Sequence, residues 1–496
     1  MDDLTALIHS LTKAEQRQVT LTSARYSGSK KYLDLFDSIR GKKLRKPGLP
    51  YSHSNALDPH DAYSKNYLQH IVIETLKGLH SQRTIRSLLH NRILDVEVLI
   101  QKNQLSLAQR VIIKAKKQAA SAEEYGVLIE LLRLEAAILM RRNLTSYQPL
   151  RKIESEVLAA TRKQQDIIAL RVIHKELQVK GATHARAVVA NAAAVYDRII
   201  DHPLLKGFSE KEGVILLLLR CLILGRYHLL YGAPDLTLAY CSKAIKKYES
   251  FANRISNTSE DTLALYKEAV VLRTFCLLEL GNIRQTLTYI AKVEQCHKND
   301  MGVLINLLLI KCDVLLLKGD IQAVRDVMLQ LEALKSKVPN DLLEARCNYT
   351  MARMYFLMGE YKLAIEVLNR VVLSKKYKVF HLIYLHCRSL HLLCNVELDN
   401  KRYVGFAVRS LKQYTYRKGE RPVLLEHLLK IANKGKNNLR LQDWIKLREV
   451  LYDMTYVTGK AVNVEGSDIQ IWIESKIQGK SCLDVIASRK KPAVLR

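Results

Sequence analysis

Proline and glycine are scarce in this chain: nine Pro and twenty Gly among 496 residues, with no Pro between Pro234 and Pro339. A fold of many tight β-turns needs both in quantity, so the shortage excludes one and favours long helices. Cysteine pairs of the C-x-x-C type are absent. The nine cysteines, from Cys221 to Cys482, sit mostly inside apolar helical patterns, as expected of buried reduced thiols rather than a metal or redox site. Long unbroken apolar runs are missing too. VILLLLRCLILGRYHLLY (214–231) is interrupted by Arg220, Arg226 and His228, and VLINLLLIKCDVLLL (303–317) is short and holds Asn306, Lys311 and Asp313. Neither reads as a membrane span. The opening MDDLTALIHSL is acidic and amphipathic, whereas a secretory signal starts with positive charge and a continuous apolar stretch. A cytoplasmic protein without membrane insertion is expected.

Catalytic signatures are also lacking. The chain holds no H-E-x-x-H, G-x-x-x-x-G-K-[ST], G-x-S-x-G or G-x-G-x-x-G. Of fifteen His, six fall in the first ninety residues, and His60, His70, His80 and His90 are spaced evenly by ten. That is not a ligand spacing, since i and i+4 share a helix face. Glu123 and Glu124 sit at a polar helix start and read as helix-dipole partners rather than an acid–base pair. Neither an enzyme nor a cofactor is expected.

What the chain does have is size, apolar helical periodicity and positive charge. It is too long for one ordinary core, and its 48% hydrophobic and 26% charged residues fit a folded protein. Lys and Arg number 78 against 49 Asp and Glu, a net charge of +29. Such a surface attracts nucleic acid, anionic lipid or acidic protein, without sequence readout.

One arrangement recurs. Gly232, Gly281, Gly319 and Gly359 each end an apolar helical stretch and precede another, and Asp399 takes the same place in NVELDNKRYVGFAVRSL; the last four are 38, 40 and 40 residues apart. In the unit that contains ARMYFLMGEYKLAIEVLNRVV (352–372), the first helix carries Cys347, Met351, Met354 and Met358 on one face, and the second carries Ala364, Leu368 and Val371. Gly fits a left-handed stop between them. Small Ala352 and Ala364 allow close approach, and Asn340 or Asp341 offers an N-cap. One hairpin cannot bury both apolar faces, so stacking is expected. Upstream, 91–120 reads as helix, Asn103 turn, helix; 123–142, 150–180 and 184–201 read as further helices; 421–454 and 467–491 close the chain.

The pattern resembles the tetratricopeptide repeat, best at Ala352, Tyr355, Gly359, Tyr361 and Ala364. It is partial at Gly225, Gly232 and Ala244, where Thr237 replaces the usual small apolar residue, and its period exceeds the family's 34. The resemblance covers roughly 210–420. It implies an all-α fold, a right-handed α-solenoid of tetratricopeptide-like hairpins with an N-terminal helical module. The whole chain, from LTKAEQR and YLDLFDSI to DIQIWIESKI, is also similar to a family of large tetratricopeptide-like proteins of Bacteroidota, which implies architecture and bacterial cytosolic location only. Four segments are expected: 1–85, a helical module with the basic Pro-containing loop; 86–205, helical hairpins; 206–420, tetratricopeptide-like repeats; 421–496, capping helices and a basic tail.

Two surfaces are candidates for function. By analogy with tetratricopeptide grooves, Arg346, Tyr349 and Arg353 would face a peptide carboxylate or acidic side chain, giving a non-enzymatic scaffold or adaptor that binds a protein or peptide on its concave side. The alternative is an RNA or DNA binder. Residues 361–419 contain twelve Lys and Arg but only Glu366, Glu397 and Asp399. There KKYK and RSLKQYTYRKGER interleave Tyr377, Tyr414 and Tyr416 with Lys375, Lys376, Lys378, Arg409, Lys412, Arg417, Lys418 and Arg421. Cations neutralise phosphates and aromatic faces stack on unpaired bases; equally, these tyrosines can face the core beneath a solvated basic face. RGKKLRK, with Lys42, Lys43, Arg45 and Lys46, and the tail SRKKPAVLR are further polyanion candidates.

Overall fold

A computed structural model describes residues 3–23, 30–41, 62–80, 84–142, 147–184, 199–207, 212–255, 258–417, 423–434, 439–457 and 464–489. Among them are twenty-two α-helices and three short 3-10 turns, and no strand. No helix among the described residues is long and apolar enough to cross a membrane. The chain divides into two compact units, Met1–Gln164 with Arg254–Glu260, and Gln165–Asn253 with Asp261–Arg496.

The first unit begins with α1 (Asp3–Ser10), α2 (Lys13–Ser23), α3 (Lys30–Ile39) and α4 (Ala62–His80). Leu4, Ile8, Val19, Phe36, Leu68 and Val72 form their common core. Thr12 and Glu15 start α2 with a reciprocal capping box: the Thr12 N–H donates to Glu15 Oε2 at 2.8 Å and the Glu15 N–H to Thr12 Oγ1 at 3.3 Å. Next come α5 (Ile85–Gln101), α6 (Leu105–Ser121) and α7 (Tyr125–Arg141), packed on one another. The helix expected over 150–180 lies within α8 (Gln148–His184), which runs from the first unit into the second; of the helix expected over 184–201, residues 185–198 lie outside the described residues and 199–200 are helical.

The second unit continues with α9 (Val214–Leu230), α10 (Pro234–Ala252), α11 (Glu260–Glu279), α12 (Ile283–Cys296), α13 (Met301–Lys318), α14 (Ile321–Leu334), α15 (Asp341–Leu357), α16 (Tyr361–Val372), α17 (His381–Glu397), α18 (Lys401–Arg417), α19 (Val423–Lys434), α20 (Leu441–Val457), α21 (Val464–Gln478) and α22 (Cys482–Arg489). Neighbouring helices pack as pairs, and α13, α15, α17 and α19 also touch in succession.

Each turn residue singled out by the sequence closes its helix in the same way. Asn103, Gly232, Gly281, Gly319, Gly359 and Asp399 all have positive φ. At Gly359, φ is 79°, its N–H donates to Phe356 O at 3.0 Å, and the Glu360 N–H reaches Tyr355 O at 2.8 Å. This paired closure is a Schellman motif, which satisfies carbonyls left over at the helix end. Glu123 adopts the same left-handed geometry, φ 59°, so it forms the turn itself rather than the first turn of α7.

Asn340 is the N-cap of α15, accepting from the Leu343 N–H at 2.9 Å. Ala352 and Ala364 are fully buried where α15 meets α16. The Thr237 departure has a local reason: its hydroxyl donates to Gly225 O at 2.9 Å and so ties α10 to α9. Eight of the nine cysteines are buried; Cys296 is exposed. The core is shared rather than divided among hairpins. One cluster of buried side chains runs from Ile305 and Cys312 through Met328, Met351 and Cys394 to Trp444, Trp472 and Ile486.

Candidate functional site

The expected peptide groove lies on α15, and its three residues part ways. Arg346 is exposed and donates to Asn306 Oδ1 at 2.8 Å. Tyr349 is half-buried beside the His386 ring, 5.9 Å between centroids. Arg353 does not face a ligand: it is only 6% exposed. Its Nε donates to Asp468 of α21, and a terminal nitrogen donates to Asp313 of α13 at 3.0 Å. Burial alone would weaken its proton affinity, but Asp313 and Asp468 outweigh that and hold it well above the ordinary value.

Arg353 turns inward because α21 brings Asp468 to a buried cation that needs an acid. The same helix seats Trp472 between Phe356 and Trp444, with ring centroids 6.2 and 5.0 Å apart. Buried Glu397 accepts from Trp472 Nε1 at 2.7 Å and from Lys476 Nζ at 2.5 Å. The chain's own helix therefore fills the environment of Arg353.

The basic region is resolved more sharply by the structure than by its charge count. Lys375, Lys376 and Lys378 are exposed, but Lys376 is engaged by Asp341 and Glu344 at 3.2 and 2.8 Å. Tyr377 is buried under the Lys376 ammonium, so it offers no face to a base. Tyr414 also turns inward: it packs on Tyr384, and its hydroxyl is 2.7 Å from His381 Nδ1. Both tyrosines follow the core reading.

Tyr416 stays out, and so does a neighbour that sequence reasoning missed. Val404, Ala407, Val408 and Leu411 are buried and fix the inner face of α18. The opposite face exposes Arg402, Phe406, Arg409, Gln413 and Tyr416 in one ridge, flanked by Lys401 and Lys412. The steps between ridge residues are four, three, four and three, the spacing of one helix face. Phe406 is 61% exposed and Tyr416 76%. The helix has no Asp or Glu, and none of its four exposed cations forms an ion pair among the described residues. The missed signal was the inner apolar face, whose register leaves Phe406 outside. Arg417 ends the helix; Lys418, Arg421, Lys42, Lys43, Arg45 and Lys46 lie outside the described residues.

A second charge cluster is structural in geometry. Glu268 of α11 accepts from Arg226 Nε at 2.8 Å and lies 2.9 Å from His174 Nε2. Burial pushes its carboxyl up, but the His174 hydrogen bond and the Arg226 charge win and hold it at about 2. It joins three helices and carries no nucleophile.

No family model matches the chain, and no curated protein or solved structure matches it.

Proposed function

We propose that this protein is a non-enzymatic binding scaffold, a right-handed α-solenoid of tetratricopeptide-like hairpins that holds a polyanionic partner on its basic surface. The repeated Schellman closures and the succession of contacts from α13 to α19 support the architectural part. The observation that carries the functional part is the exposed face of α18, where Lys401, Arg402, Arg409 and Lys412 stand without ion pairs among the described residues. Nearby cations are spent locally: Arg370 on Glu332 and Lys376 on Asp341 and Glu344. A peptide acid at Arg353 is the weaker reading, because that guanidinium already serves two carboxylates.

The test is binding of the full chain to oligonucleotides and to polyglutamate across a salt series. Affinity for at least one polyanion is expected, with log K falling linearly against log salt. For four phosphate contacts on a single strand the slope is about −3. Absence of binding to every polyanion at low salt overturns the proposal.

A further inference from the structure

We infer that the outer ridge of α18 is a single-strand nucleic-acid surface, with Phe406 and Tyr416 as base-stacking platforms and Lys401, Arg402, Arg409 and Lys412 as phosphate partners. The inference rests on the polyanion reading above and narrows it to one class of partner.

Charge alone does not choose among polyanions, but the two rings do. An exposed Phe and an exposed Tyr on an otherwise polar helix face lose free energy to water unless something planar or apolar covers them. A carboxylate-rich peptide would engage the cations and leave the rings wet. Duplex nucleic acid keeps its base faces inside the stack, so a ring on a helix surface cannot reach them. Unpaired bases have open π-faces and a phosphate beside each one. Stacking plus a cationic track is how single strands are held without sequence readout.

The geometry suits that pairing. Phe406 and Tyr416 are ten residues apart on one face, about 15 Å along the helix at 1.5 Å per residue. Arg402 and Arg409 lie on the same ridge, and a planar guanidinium can both meet a phosphate and stack on a base. Lys401 and Lys412 flank the ridge as point charges. The inner face is anchored by Leu411 and by the bond from Arg388 to Ser410 Oγ at 2.6 Å, so the platform is fixed before a ligand arrives.

The experiment is fluorescence anisotropy on the full chain with labelled oligouridine, the corresponding duplex and a labelled polyglutamate peptide. The variants are Phe406→Ala, Tyr416→Ala, Tyr416→Phe and the double change Arg409→Ala with Lys412→Ala. All replace exposed side chains, and circular dichroism confirms the fold. Oligouridine is expected to bind more tightly than duplex or peptide. Each aromatic-to-Ala change is expected to weaken it about tenfold while leaving the salt slope unchanged. Tyr416→Phe is expected to restore most of the affinity. The double cation change is expected to make the slope shallower by about 1.4.

Wild-type binding that is untouched by Phe406→Ala and Tyr416→Ala overturns the ridge but leaves the polyanion reading standing. Tighter binding of duplex or polyglutamate overturns the choice of partner. Absence of binding to all three probes overturns both.

Discussion

Arg353 and Glu268 are single charged side chains committed to partners on other helices. Arg353 is committed inward by Asp313 and Asp468. Arg353→Ala leaves buried Asp468 and half-buried Asp313 without their cation, which costs about 3–5 kcal/mol; chemical denaturation should show that loss. Oligonucleotide affinity of the folded variant should stay unchanged, because α18 lies outside the cluster. A selective loss of ligand affinity at unchanged stability would restore Arg353 as a binding residue. Glu268 predicts the acid behaviour. Its carboxyl sits at about 2 when folded against an ordinary 4.5, so the unfolded chain takes up the proton first as pH falls. The stability it supplies is complete above about 4.5 and is lost on the way down to about 2, on the order of 3 kcal/mol. Glu268→Gln should be less stable at neutral pH and flatter over that acid range. An unchanged acid slope contradicts the assignment. Arg353 could not be read correctly from the sequence, since its partner Asp468 is 115 residues away. No local pattern announces such a pair.

At the scale of elements, the turns were the most legible part of the chain and the faces the least. A left-handed stop favours Gly, Asn or Asp at one position between two apolar stretches, so Asn103, Gly232, Gly281, Gly319, Gly359 and Asp399 could be found by inspection. Glu123 escaped because nothing in its chemistry favours positive φ. At Gly359 an added Cβ would meet nothing within 4 Å, so only backbone conformation resists a side chain there. Gly359→Ala should therefore cost about 1–2 kcal/mol, the left-handed penalty, with no packing contribution. Calorimetry that shows no loss would mean the turn is not held in that conformation. The faces are harder because composition does not say which way a ring points. Tyr377, Tyr414 and Tyr416 look alike in sequence, yet two pack inward and one does not. For the two on α18, Tyr414 and Tyr416, the inner register of Val404, Ala407, Val408 and Leu411 decides it, and the same register turns Phe406 out; Tyr377 lies in the separate 3-10 turn Lys376–Val379 and is buried there.

For the molecule as a whole, the described helices pack as neighbouring pairs within two units. In the second unit, one buried cluster from Ile305 to Ile486 is shared by the hairpins from α13 onward and by the closing helices. The net charge of +29 supplies attraction in general; the exposed ridge of α18 is where unspent cations and open aromatic rings coincide. The most direct measurement is photocrosslinking of the full chain to a 4-thiouridine oligonucleotide, followed by peptide mapping. Adducts on Phe406 and Tyr416 that diminish as salt rises are expected. Adducts confined to α15 around Arg346 and Tyr349, or none at low salt, would contradict the ridge assignment.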